Sequence, residues 1–199
     1  MITRSLKWAL LATLWASSVA LSNEIYMEQV GDNSTVTINQ DGPSNTIGTA
    51  LAPAFIGGGS NTLTIDQIGS GNELAMTVNG AATTVAVTVN GSNNVSTITC
   101  GTTASASCSG SNIQQTVTGD GNTLTQTLGG GANHISKFTV TGDTNTLAHT
   151  STNTGTVNVD YTVVGDTNNV SITTSGTTAK TLNATTTGNG NTVTIVQTN

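Results

Sequence analysis

The chain has 199 residues, of which only 7% are charged and 3% aromatic, and its ten Asp and Glu against four Lys and Arg give a net charge of −6. That balance excludes nucleic acid as a natural partner, because phosphate backbones are held by clustered Lys or Arg. So few aromatic side chains also argue against a conventional globular core, and a packed structure must come from repetition.

The first element, residues 1–22, reads as a secretory signal peptide. Arg4 and Lys7 precede an apolar run from Trp8 to Ala20, and Ala20-Leu21-Ser22 gives a small-x-small cleavage pattern. The run is too short to span a membrane, and cleavage is expected after Ser22. The mature chain, residues 23–199, reads as a single domain. It keeps Lys137 and Lys180 against ten acidic residues, 2 − 10 = −8.

A strand is expected at once, over Asn23-Glu24-Ile25-Tyr26-Met27. Beyond it a turn-plus-strand unit recurs. From Gly31 the apolar or bulky residues fall at Val36, Ile38 and Gln40. From Gly58 they are Leu63, Ile65 and Gln67; from Gly69, Leu74, Met76 and Val78; from Gly80, Val85, Val87 and Val89. Alternation of period two is the strand signature, and Gly with a following Asn or Ser is turn chemistry. Two stretches break the rhythm. An insertion is read near 51–58, around Pro53 and the three glycines Gly57, Gly58 and Gly59. A second is read over 100–108, after an arm whose alignment is ambiguous by one residue between Val95 and Ile98.

From Gly119 the unit doubles. Gly119, Gly142, Gly165 and Gly188 are each 23 residues apart, and Asn122, Asn145, Asn168 and Asn191 follow them at a constant distance. The second arms alternate as the first do, for example Val157, Val159, Tyr161 and Val163. About fourteen arms make about seven two-stranded rungs. The simplest object with this pattern is an all-β β-solenoid whose rungs stack at roughly 4.8 Å, with like residues in ladders. A β-sandwich is the alternative fold.

Few residues invite chemistry. Cys100 and Cys108 are expected to pair in an exported chain, closing a loop worth roughly 2.6 kcal/mol; the competing reading is a redox or metal site, for which two thiols alone are a poor ligand set. Asp120, Asp143 and Asp166 stand at the same place in successive turns. They read as turn formers, with calcium binding as a weak candidate role. His134 and His149 are the only histidines, and His149 fills a strand slot used elsewhere by Ile172 and Ile195. No catalytic residue, no metal site and no cofactor is expected, since an enzyme needs convergent titratable groups.

Outward positions are also regular. One column reads Asn39, Asp66, Thr88, Thr116, Thr139, Thr162 and Thr185; a second reads Ala50, Thr77, Thr99, Thr127, Thr150, Thr173 and Val196. Such flat Thr arrays look like ice-binding faces, although Thr also stacks well as a plain β-former. Lys137, Asn158, Asp160 and Asn183 interrupt neighbouring columns.

Several turns carry a glutamine. Gln29-Val30-Gly31, Gln40-Asp41-Gly42 with Asn45, Gln67-Ile68-Gly69 with Asn72, and Gly188 to Asn191 with Gln197 resemble the curlin repeat of curli subunits. That repeat is Gln-x-Gly-x-x-Asn, an alternating strand and a second Gln. In the later rungs Val89, Val117, Val140, Val163 and Thr186 replace the glutamine before the turn. The resemblance implies an exported subunit that stacks end to end with itself into extracellular amyloid-like fibres for adhesion and biofilm. A nucleator or an outer-membrane exporter is the further partner it implies. Curlin-like repeats also resemble parts of bacteriophage proteins, which keeps a viral fibre open as an alternative. Independently of any family, the last arm, Gly188 to Asn199, has no charge and no proline, so it is expected to be the growing edge.

Overall fold

The computed structural model describes residues 23–42, 44–49, 54–69, 71–91, 93–101, 109–119, 121–129, 133–142, 144–152, 156–165, 167–176, 180–188 and 190–198. The signal peptide read over residues 1–22, Cys108, and the aspartates Asp120, Asp143 and Asp166 lie outside the described residues.

Every element described is a strand: β1 (Asn23–Glu24), β2 (Glu28–Val30), β3 (Thr35–Asp41), β4 (Asn45–Thr46), β5 (Ala54–Gly57), β6 (Thr62–Ile68), β7 (Leu74–Asn79), β8 (Thr84–Asn90), β9 (Ser96–Cys100), β10 (Asn112–Thr118), β11 (Leu124–Leu128), β12 (His134–Thr141), β13 (Leu147–Ser151), β14 (Val157–Val164), β15 (Val170–Thr174), β16 (Lys180–Thr187) and β17 (Val193–Gln197). They alternate between two sheets. One holds seven strands in the order β16-β14-β12-β10-β8-β6-β3; the other holds eight, β17-β15-β13-β11-β9-β7-β5-β2, with β1 and β4 paired beside its end. Each strand pairs in parallel with the one a full turn away, as β12 does with β10 and β14. This is a β-solenoid. Unbroken parallel pairing of every second strand leaves no place for the antiparallel connections of a sandwich.

Register explains why so plain a sequence packs. Side chains alternate sides along a strand, so an apolar residue at every second position gives one inward face. In β14 Val157, Val159, Tyr161 and Val163 point in and are at most 2% exposed, while Asn158 and Val164 are exposed. Ladder pairing puts Tyr161 directly over Phe138. An inward residue is sealed by the opposite sheet and by the rungs above and below it.

The breaks in rhythm are resolved by pairing. Ile47 N donates to Glu73 O, which sets Ile47 opposite Leu74, and Ala54 pairs with Met76. Seven residues separate the first two and two the second, 7 − 2 = 5, so the excess of five falls between Ile47 and Ala54. Ala54–Gly57, inside the stretch read as an insertion, is therefore strand β5. In the ambiguous arm Ser96, not Val95, takes the core slot opposite Leu74 and Leu124, and Val95 is left 39% exposed. Hydrogen bonding of the preceding turn fixes this register against the preference of the valine.

Candidate functional site

The invariant part of the molecule is the turn that leads from the seven-stranded sheet to the eight-stranded one. Its glycines stack so closely that no side chain fits. A Cβ on Gly142 would lie 1.6 Å from Gly119 O, on Gly165 1.5 Å from Gly142 O, and on Gly188 1.4 Å from Gly165 O. Three residues after each glycine stands an asparagine that does two jobs. Asn145 Nδ2 donates to Gly142 O at 3.0 Å, closing its own turn, and to Asn122 Oδ1 at 2.6 Å, tying that turn to the previous one. Asn122 does the same with Gly119 and Asn94 at 2.9 and 2.6 Å. Asn168 donates to Asn145 at 2.5 Å and Asn191 to Asn168.

The eight residues singled out in sequence thus form two parallel ladders. Both run further than expected. Asn94 donates to Asn72, and Asn72 to Asn45, each at 2.6 Å. The same Gly-x-x-Asn spacing counted from Gly91 would have found Asn94. Asn23, paired opposite Asn45, occupies the next place without a glycine before it. From Asn72 to Asn191 the asparagine ladder has a direction: each side-chain amide donates toward the N-terminal end.

The two ends of the stack differ. At the C-terminal end β16 and β17 have a rung on one side only. Val193, Ile195 and Val196 are 43%, 41% and 43% exposed, and no charge lies between Gly188 and Thr198. Lys180, at the start of β16, donates to Gly176 O at 2.8 Å and to Thr198 O, fastening the end of β17. The N-terminal end carries exposed Glu24, Glu28, Asp32 and Asp41, with Tyr26 71% and Val30 69% exposed. Unpaired strand edges are templates for another strand, and charge is the usual deterrent.

The four curlin-type glutamines do not form one ladder. Gln40 and Gln67 are neighbours in register, and each reaches across its turn, Nε2 donating to Thr46 O and to Glu73 O at 3.2 Å. Gln29 belongs to the other sheet, opposite Ile56, and donates to Ser34 Oγ at 2.7 Å. Gln197 is in β17, opposite Thr174 at the far end of that sheet. Both Gln29 and Gln197 therefore sit on edges.

Inside the stack lies a polar cluster that composition did not reveal. Ser136 Oγ donates to Gln126 Oε1 and is 3.4 Å from His149 Nδ1; His134 Nε2 is 3.3 Å from Ser151 Oγ. All five are at most 1% exposed. Burial lowers the pKa of both histidines to about 4, and for His149 the neighbouring His134 adds to it, so both rings are neutral at physiological pH. His149 stands edge-on to Phe138 at 6.2 Å in the slot between Gln126 and Ile172. A serine beside a histidine could be a nucleophile, but this one has no route to solvent. Among the described residues no three His, Cys, Asp or Glu side chains converge as a metal site. Cys100 is buried and disulfide-bonded.

The outward columns are in register. Asn39, Asp66, Thr88, Thr116, Thr139, Thr162 and Thr185 follow one another on the seven-stranded sheet. On the eight-stranded sheet Glu28 and then Phe55 begin the column that continues through Thr77, Thr99, Thr127, Thr150, Thr173 and Val196. Ala50, read in that column from the sequence, lies outside the described residues. Lys137, Asp160 and Asn183 pair in one column beside the Thr column of the seven-stranded sheet. On the eight-stranded sheet the adjacent column is uncharged: Ala75, Thr97, Thr125, Ala148, Ser171 and Thr194.

No protein-family model, no curated protein and no solved structure matches the chain.

Proposed function

We propose that this chain is an exported structural subunit of curlin type that self-assembles end to end into extracellular amyloid-like fibres serving adhesion and biofilm. The observation that carries this reading is the C-terminal edge. There the glycine and asparagine ladders run to the last rung, the strand pattern continues through Gln197, and neither charge nor proline interrupts it. Neutral parallel strands with Asn ladders favour continued cross-β stacking. The role is structural: the recurring residues are spent on stacking, and both Ser-His pairs are buried in the core. Incubating the mature chain should give thioflavin-positive fibres by electron microscopy. Deleting residues 188–199 should abolish their growth, and unchanged growth kinetics would overturn the reading.

A second reading rests on the outer face of the eight-stranded sheet, where two adjacent columns rich in Thr, uncharged from β7 to β17, repeat at roughly 4.8 Å along the stack. Such a face suits a flat repetitive surface such as ice. Thermal hysteresis by the monomeric chain, lost on Thr127→Lys, would select this reading; freezing-point behaviour no different from a control protein would reject it.

A further inference from the structure

Among the described residues the solenoid does not contain whole rungs: one sheet has eight strands and the other seven. This bears on how copies join, and so rests on the assembly reading above. In a continuous fibre both sheets must advance by the same number of strands per subunit. Laying one intact copy on the next would leave a strand-wide gap in the seven-stranded sheet at every junction, with two unpaired edges facing each other.

We propose that at each junction β17 of one copy takes the place of residues 23–30 of the next, pairing with β5 while β16 pairs with β3. The two segments are interchangeable from the inside. Asn23, Ile25, Met27 and Gln29 have the same spacing and inward character as Asn191, Val193, Ile195 and Gln197. Residues 23–30 are the weaker holder of the site. They pair as two short pieces, two residues against β4 and three against β5, whereas β17 is continuous over five.

Three orphan polar atoms point the same way. Asn45 is fully buried, yet its Nδ2, alone in the ladder, has no acceptor; Asn23 directs its own amide to Asp41 O at 3.1 Å instead. Asn191 is the last of the ladder, and its Oδ1 in the place of Asn23 supplies the missing acceptor. In the seven-stranded sheet Gln40 Oε1 and Thr186 Oγ1 are buried and unpaired at opposite ends of one column. Pairing β16 with β3 sets the Thr186 hydroxyl beside that oxygen. Gly42, which meets Asn23 where later glycines meet a glycine carbonyl, then stacks on Gly188 and the glycine ladder becomes continuous. Exchange also moves Glu24 and Glu28 out of the junction. In the isolated chain residues 23–30 act as a self-held plug over the acceptor edge.

Cross-linking tests this directly. Val196 and Phe55 share one outward column, with Glu28 opposite Phe55. Within one chain the V196C and F55C positions lie at opposite ends of the stack, so a link between them must join two copies. Fibres of the double variant V196C/F55C, treated with a short thiol cross-linker, should give a ladder of covalent multimers in denaturing gels, and V196C/E28C fibres should not. A ladder from V196C/E28C alone, or from neither, would overturn the exchange while leaving assembly standing. Absence of fibres from the unmodified chain would overturn both. As a second readout, the chain lacking residues 23–30 should begin assembly with a shorter lag.

Discussion

The rungs in the middle of the stack and the rung at its C-terminal end are built from the same parts. Ile172 and Ile195 are neighbours in one column, each three residues or fewer into a strand that follows a Gly-x-x-Asn turn. One is fully buried and the other is 41% exposed. The residue type, the backbone and the ladder are the same; only the presence of a following rung differs. Core and surface here are therefore set by position in the stack, and on the assembly proposed above the end rung is a core rung awaiting cover.

The largest effect should come from the glycine ladder. Gly142→Ala would drive a Cβ to 1.6 Å from a carbonyl oxygen of the preceding turn, and neither backbone can move without breaking register. Thermal unfolding should show a loss of about 4 kcal/mol, or roughly 10 °C in Tm. At Gly31, in the opposite turn of the end rung, a Cβ has nothing nearer than 4.0 Å, but the backbone is at φ 138. Gly31→Ala should therefore cost only the conformational strain, about 1 kcal/mol. Equal losses at both sites would show that strain, and not stacking, controls the glycine turns. Next in size is Ile172→Ala, which empties a sealed slot and should cost about 3 kcal/mol.

The sequence carried the stack but not its ends. Gly119, Gly142, Gly165 and Gly188 with their asparagines are legible because steric exclusion and the side-chain amide bond admit only those residues, so the chain must repeat them. The half-rung was not legible. Asn23 fills an asparagine slot without the glycine that marks the others, and its membership shows only in its pairing with Asn45. Ser96 was hidden for a related reason: its neighbour Val95 is the better core residue, and the turn at Gly91 and Asn94 overrides it. The cluster of Gln126, Ser136 and His149 comes from two sheets and three strands, and no local pattern brings such residues together.

That cluster gives the third effect, acid sensitivity of the middle relative to the ends. The pKa of His149 in the folded chain, about 4, is below its ordinary value of 6.5. Between these values the unfolded chain holds a proton that the folded chain refuses. Stability is therefore complete above about pH 6.5 and is lost as pH falls toward 4. At pH 5 one such histidine accounts for about 2 kcal/mol relative to pH 8. Denaturant titrations at the two pH values should show this loss. His149→Ile, which matches the slot on either side of β15, should reduce it; an unchanged pH profile would mean that His149 takes up its proton without unfolding.

The smallest effect in the isolated chain is the one that sharpens the comparison most. Ile195→Ala removes the same atoms as Ile172→Ala, but from a side chain that water already reaches, so the monomer should lose about 1 kcal/mol or less. If the end rung is a core rung awaiting cover, the substitution should become costly once a second copy is stacked on it. The denaturant midpoint of Ile195→Ala fibres should then fall as far below that of the parent fibres as the Ile172→Ala monomer falls below the parent monomer. A fibre shift no larger than the monomer shift would place Ile195 outside the contact between copies, and would separate the C-terminal edge from whatever surface the chain uses to associate.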